Sequence, residues 1–386
     1  MNEELFKIIN DILDNSDVDM DDLYNNNIFD DIKILVLETF SQFTPIESRE
    51  EINIVLEVIN SLLYQKQNTP CSPNYTESQL LYLESKIKYL GTIPQPEQRS
   101  SEWYIFRNNR LTASDFYSVI DEGAISKRNE LIKKKCGVEM PFLTNDAILH
   151  GVKFEQIATE IYENRNNLKV LEYGCIPHPT IPFFGASPDG IVSYESNNKN
   201  YIGRMLEIKC PKSRQITGII PKGYFAQIQG QLEVCDLEYC DFLECDFQKY
   251  NSKEQFFNDT DDPFKEKGMI IELYDNKLKK TLYYYSEHKH IKNRDIFDKW
   301  YDDIVNSIFK MGNEHLDYLT TTYWYLNNFN VVLVKRDRDY FTNNYINIKK
   351  FWDDVLNYRE IGIDKLPITS KKSYKPYKEK ELNFID

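Results

Sequence analysis

Phe184-Gly-Ala-Ser187-Pro-Asp189-Gly-Ile-Val192, followed shortly by Met205-Leu-Glu207-Ile-Lys209-Cys-Pro211, is the stretch on which the fold turns. Pro-Asp-Gly is turn chemistry, and it runs straight into the β-branched pair Ile191-Val192, so Asp189 stands at the start of a strand. In the second half, Glu207 and Lys209 lie two residues apart within an apolar run. On a strand they share one face, and Leu206 and Ile208 take the other. A neighbouring strand that brings Asp189 beside Glu207 then places two carboxylates and one ammonium at a single spot.

Mg²⁺ takes oxygen ligands, keeps several waters and is commonly held by one or two carboxylates. Asp189, Glu207 and the carbonyl of Ile208 offer such oxygens. The ion acidifies a bound water, and the compact ammonium of Lys209 suits orienting that water or stabilising charge on a phosphorane. The chemistry implied is metal-assisted hydrolysis of a phosphodiester. Taken singly each element is ordinary: Glu-x-Lys on a strand is commonly a solvated ion pair, and Pro-Asp-Gly commonly only a turn.

Outward from this stretch, helical patterns (about 112–121, 145–165 and 222–234) alternate with short strands (190–194, 204–209, 239–246, 269–273 and 282–285), which indicates an α/β or α+β core. Residues 295–326 read as a further helix with Ile296, Trp300, Ile304 and Ile308 on one face, 330–335 as a strand and 345–358 as a closing helix. Towards the N-terminus, Leu5, Ile8, Ile9 and Leu13, and again Ile52, Val55, Ile59 and Leu62, recur at helical spacing. Gly91-Thr-Ile-Pro-Gln-Pro-Glu97 reads as a linker. The expected organisation is an acidic helical domain over 1–95, the main domain over 96–360 and a basic tail over 361–386. Asp17, Asp19, Asp21 and Asp22 form an acidic loop that lacks the Gly and terminal Glu of a calcium loop.

The chain has 386 residues and a net charge of −14, which ordinarily argues against a polyanionic partner. The excess is local. Residues 1–95 hold 17 acidic and 6 basic residues, and the remaining 291 hold 44 and 41, so a basic groove is compatible with the rest of the chain. Lys371, Lys372, Lys375, Lys378 and Lys380 make the tail basic and suited to weak phosphate contact. Seven Cys without a C-x-x-C pair give no zinc ribbon and indicate free thiols in a reducing compartment. The 27 Tyr and 22 Phe fit either a nucleic-acid path or the codon bias of an AT-rich genome. With no basic-apolar leader and no run of about eighteen apolar residues, the expectation is an intracellular, soluble protein with no membrane partner.

Five blocks in order carry a resemblance: Trp103-Tyr-Ile-Phe-Arg107-Asn-Asn-Arg110-Leu-Thr-Ala-Ser114, His150-Gly-Val-Lys-Phe-Glu155, Ser187-Pro-Asp189-Gly, Glu207-Ile-Lys209-Cys-Pro and Tyr224-Phe-Ala-Gln227-Ile-Gln229. The chain resembles the lambda-exonuclease-like, or YqaJ, branch of the PD-(D/E)xK nuclease superfamily over roughly 97–250. The resemblance implies a restriction-endonuclease-like fold, a mixed central sheet flanked by helices, here with an N-terminal helical extension. It implies Asp189 and Glu207 as ligands of Mg²⁺, with Mn²⁺ as a substitute, and Lys209 as the catalytic lysine. Glu155 becomes a helical acid that completes the site or a second metal position, and Gln227 the glutamine on the helix after the catalytic strand. Arg107, Ser114 and Ser187 match positions that bind the 5′ phosphate of a DNA end. Asn108-Asn109 departs from the small or apolar residues common there.

The activity implied is resection of duplex DNA ends, 5′ to 3′, in recombination or repair. Relatives often work beside a single-strand annealing protein, and some assemble as homo-oligomeric rings; the setting is a host cytoplasm or virion if the source is viral. Three other readings stay open. One is a CRISPR-associated RecB-like nuclease or endonuclease, although Cys235, Cys240 and Cys245 lack the close pairs of a four-Cys cluster. The others are a non-catalytic DNA-end-binding module and an interaction protein working through its acidic N-terminal segment. Two residues keep local alternatives: Ser114 also suits a helix cap, and His150 a packed or capping histidine.

Overall fold

The computed structural model describes residues 73–121, 125–138, 146–260, 265–287, 290–291, 293–310 and 312–367, together with 34, 36–40, 55 and 59. Thr76 opens α1 (Glu77–Thr92) with a reciprocal cap: its hydroxyl accepts from the Gln79 N–H, and the Gln79 side chain accepts from the Thr76 N–H. Ser100 caps α2 (Ser101–Asn108) by accepting from the Trp103 N–H at 3.1 Å. Next come β1 (Leu111–Thr112), a 3₁₀ turn (Ala113–Asp115), α3 (Tyr117–Ile120), α4 (Ile125–Lys135) and α5 (Asp146–Asn166). The chain then runs through β2 (Val170–Leu171), β3 (Ile176–Pro177), β4 (Phe184–Ala186), β5 (Gly190–Val192), β6 (Met205–Lys209) and α6 (Lys222–Cys235). It continues with β7 (Tyr239–Lys249), α7 (Lys253–Asn258), β8 (Lys267–Asp275), β9 (Lys280–Tyr285), α8 (Arg294–Ser307), β10 (Leu316–Lys335) and α9 (Arg338–Ile361).

Seven strands form one sheet in the order β2-β5-β6-β7-β10-β8-β9, and β1-β4-β3 form a second. In the large sheet β6 and β7 pair in parallel across the α6 crossover, and the other neighbours are antiparallel. Side-chain alternation then builds an apolar layer on each side of the sheet. Met205, Cys240 and Phe242 join Leu232 of α6 and Phe351 of α9, whereas Leu206, Ile208 and Leu243 join Phe154, Ile157 and Ile161 of α5. The result is the mixed α/β architecture, a mixed sheet between helices, that the resemblance implies.

A buried ion pair pins the start of β6. Arg204 meets Asp241 of β7 at 3.1 Å, with side chains 3% and 1% exposed, and the Tyr162 hydroxyl of α5 donates to the same carboxylate at 2.6 Å.

Two expected elements differ from the structure. Helix α8 stops at Ser307, and 316–335 is a twenty-residue strand paired with both β7 and β8. Gly312, at φ 92°, lies in the connection after the helix, and Thr320-Thr-Thr-Tyr-Trp-Tyr325 is β-branched and aromatic, which favours a sheet whatever its i, i+4 pattern. Over 112–121 the single helix is replaced by the end of β1, the 3₁₀ turn and one turn of α3. Thr112, Ser114 and Asp115 bond one another there, offering the backbone an alternative to a continuous helix.

The prolines around 94–96 keep that segment extended as expected, yet it is seated on the main domain. The Gly174 N–H donates to the Gln95 side chain at 2.6 Å, and a Cβ on Gly174 would lie 2.1 Å from the Pro96 carbonyl oxygen. Ile87 and Leu90 of α1 are buried in the same apolar layer as α6 and α9, so packing runs across residue 95. The acidic loop at 17–22 and the lysines of the tail lie outside the described residues. Among those described, no helix is long and apolar enough to cross a membrane.

Candidate active site and phosphate pocket

Strand register supplies the first contact of the site. Gly190 pairs with Leu206, so Asp189 falls one step further along, against Glu207, and its Oδ2 accepts from the Ile208 N–H at 2.7 Å. Glu207 is fully buried, and each of its oxygens is held. Oε1 accepts from Lys209 and, at 2.6 Å, from Gln227, and Oε2 accepts from Gln231 at 2.7 Å. Gln227 and Gln231 lie one turn apart on α6, which is how a single helix reaches both oxygens. Glu155, on α5, pairs with Arg99 at 2.8 Å.

Of these groups Glu155, Asp189 and Lys209 line a cleft of about 560 Å³, together with Ile208, Arg214 and Tyr224. Burial, then the charge of Glu207, pushes the Asp189 carboxyl well above the usual carboxylate range. Burial also raises Glu155, with Arg99 and Lys209 pulling the other way. Burial works to lower Lys209, but the charges of Glu207 and Asp189 outweigh it and hold the ammonium protonated beyond its ordinary range. Lys209 is therefore a fixed cation and a hydrogen-bond donor. It packs 4.9 Å from the Tyr224 ring centre, and Arg214, paired with buried Glu244 at 2.5 Å, flanks the same ring.

The donor set fits Mg²⁺ in kind: hard carboxylate oxygens, close enough that the charge of Glu207 helps raise the proton affinity of Asp189, with the Ile208 carbonyl beside them. Asp189 and Glu207 are the pair. Glu155 is engaged by Arg99, and among the described residues no three His, Cys, Asp or Glu side chains form a ready-made metal cluster. The cysteines weighed for an iron–sulfur cluster point apart: Cys235 and Cys240 sit in one apolar layer and Cys245 in the other.

A second cluster of donors lies beside the first. Arg107 donates from Nη2 to Ser114 Oγ at 2.9 Å and from Nη1 to Ser187 Oγ at 3.2 Å, with its guanidinium 4.3 Å from the Trp103 ring centre. Ser114 thus faces Arg107 and Thr112 and caps no helix. The backbone beneath Arg107 is clamped from distant elements. Buried Lys135 donates to the Arg107 carbonyl at 3.0 Å and pairs with Asp115 at 3.2 Å, and Arg359 of α9 donates to the Asn108 carbonyl at 3.1 Å and the Asn109 side chain at 3.4 Å. Asn108-Asn109, the departure noted above, serves as the seat for that arginine.

Gln231 joins the clusters, since the amide that donates to Glu207 also reaches the Ser187 carbonyl at 3.4 Å. All nine sequence-derived site residues fall in these two neighbouring clusters. Gln231 was missed as a site residue although its four-residue spacing from Gln227 signals it; Arg99, Lys135 and Arg359 carry no local signal. His150 is buried against Phe154, ring centres 4.7 Å apart, which is the packed role.

Residues 102–238 match the family model described as the YqaJ-like viral recombinase domain. An uncharacterised protein, R354, of Acanthamoeba polyphaga mimivirus is 35% identical over 326 residues, which are 76% of this chain and 59% of the relative. The chain therefore spans a little over half the length of that relative. Among solved structures, the alkaline exonuclease LHK-Exo of Laribacter hongkongensis aligns at 21% identity and a TM-score of 0.40, covering 68% of this chain and 95% of the other. A phage-related exonuclease from Haemophilus somnus 129PT aligns at 12% identity and a TM-score of 0.35, covering 65% and 93%.

Proposed function

We propose, from the match of residues 102–238 to the YqaJ-like viral recombinase domain, that this chain is a Mg²⁺-assisted DNA nuclease that resects duplex ends 5′ to 3′ from a terminal 5′ phosphate. The observation that carries the reading is Gln231, which hydrogen-bonds both the buried acid of the cleft and the backbone of the phosphate pocket. One rigid helix thereby sets the distance between a bound strand end and the reacting phosphodiester.

Asp189 and Glu207, with the Ile208 carbonyl and Glu155 as a further acid, are the residues that would hold Mg²⁺, which supplies an acidified water and offsets phosphate charge. Gln227 and Gln231 fix the plane of the Glu207 carboxylate by donating to both of its oxygens. Lys209 stays protonated and donates to the phosphate oxygen on which charge gathers, a role for a compact cation. Arg107 presents a planar fork, and the Ser114 and Ser187 hydroxyls turn from it to a terminal phosphate. The indole of Trp103 backs the guanidinium and holds its orientation.

The test follows purified protein and Mg²⁺ on linear duplex DNA and on closed circular DNA of the same sequence. Degradation of the linear form alone, abolished in Lys209→Ala, is the expected result. Equal cutting of circles replaces end resection with endonuclease action, and inactivity on both forms, with DNA ends still bound, leaves a binding module.

A further inference from the structure

Glu97-Gln-Arg-Ser100 closes a β-turn in which the Ser100 N–H donates to the Glu97 carbonyl at 3.2 Å and Arg99, third in the turn, has φ 66°. That position asks for Gly or Asn, because a left-handed backbone sets the Cβ of other residues against the following carbonyl. An arginine there costs about 1 kcal/mol or more. The other described non-glycine residues with positive φ have local reasons: Asn167 and Asp236 directly follow α5 and α6, and Lys279 sits in the turn between β8 and β9. Arg99 ends no element. Its neighbours instead fasten the turn to the site. The Gln98 side chain donates to the carbonyls of Tyr173 at 2.8 Å and of Pro188, next to Asp189, at 3.3 Å, and Ser100 caps the helix that carries Arg107. The guanidinium projected from this strained turn meets Glu155 Oε2 at 2.8 Å on the border of the cleft.

We propose that Arg99 is a resident counter-ion of the cation site: it neutralises Glu155 while no divalent cation is bound and surrenders that carboxylate when one enters. The inference rests on the metal-assisted reading above. Asp189 and Glu155 line one cleft with Glu207 buried beside them, and Lys209 answers only part of that charge. A second cation at Glu155 completes the balance. The Arg99 side chain is 45% exposed, so it leaves for water at small cost. Arg99 thus sets the cation affinity of the site through competition for one oxygen.

The test is Mn²⁺ binding to DNA-free protein, read as free Mn²⁺ by electron paramagnetic resonance. Wild type, Arg99→Asn, Glu155→Gln and the double variant are compared, with Arg99→Gly as a second variant that the turn also favours. Both replacements of Arg99 tighten Mn²⁺ by at least about fivefold, and the gain vanishes in the Glu155→Gln background. Unchanged affinity in Arg99→Asn and Arg99→Gly overturns the role of Arg99, as does a gain that persists undiminished without Glu155, since that is a general loss of positive charge. Absence of Mn²⁺ binding in wild type and variants alike overturns the metal site itself, and so separates failure of the function from failure of this inference.

Discussion

Gln231 is buried to 1% exposure, yet its amide connects the Glu207 carboxylate to the Ser187 carbonyl. Replacing it by Leu keeps the volume roughly constant and removes both contacts. The expected result is a fall in kcat of about 10- to 100-fold, the range for residues that orient a metal-binding carboxylate, with KM for DNA little changed. Steady-state kinetics check this split, and an equal rise in KM with normal kcat contradicts it. At this scale the sequence was legible where chemistry is local. Asp189, Glu207 and Lys209 sit on adjoining strand segments, so alternation and turn chemistry place them together. The clamp of Lys135 and Arg359 on the Arg107–Asn109 backbone joins residues far apart in the chain, and no spacing rule reaches that distance.

Helix α6 is the element that couples cleft and pocket, and Gly230 shows how closely it is seated. A Cβ there would lie 3.1 Å from Ala113 and 3.2 Å from Phe116, on the turn that carries Ser114. Under β6, the Arg204–Asp241 pair does comparable work for the strand that carries Glu207 and Lys209. Asp241→Asn removes the buried negative charge that faces Arg204 and is expected to destabilise the protein by about 3–5 kcal/mol in urea unfolding, whereas changing both partners to apolar residues of similar volume recovers most of the loss. Equal destabilisation by the single and double changes contradicts that account. The reading of 295–326 as one helix failed at this same scale. Ile296, Trp300, Ile304 and Ile308 do recur at helical spacing, but past Gly312 the periodicity signal is ambiguous, and pairing with β7 and β8 decides the outcome.

At the scale of the whole molecule, part of the aromatic surplus among the described residues goes to packing. Phe256, Phe297, Tyr250 and Tyr323 build a separate cluster between β8, β10, α7 and α8, distant in sequence from the cleft residues. Titration also acts at this scale. Burial, then Lys249 and its lysine neighbours, lowers His150 to about 4, below the 6.5 of the free side chain. The fold keeps His150 neutral while the unfolded chain takes up the proton, so its contribution is full above pH 6.5 and is lost as the pH falls towards 4. Discounted for its partial exposure to solvent, the effect is about 1–2 kcal/mol. Stability measured at pH 7.5 and 4.5 should differ less in His150→Gln than in wild type, and an identical difference contradicts the assignment.

The central claim is that the cleft and the Arg107 pocket are one device that measures from a 5′ phosphate to the bond it cuts. Initial degradation rates on linear duplexes ending in a 5′ phosphate or a 5′ hydroxyl, for wild type and Arg107→Ala, test it most directly. Wild type is expected to favour the phosphate by at least about tenfold, a difference of about 1.4 kcal/mol, and Arg107→Ala to bring the two rates together by slowing the phosphate substrate. Equal rates on both ends in wild type, or an undiminished phosphate preference in Arg107→Ala, contradicts the account.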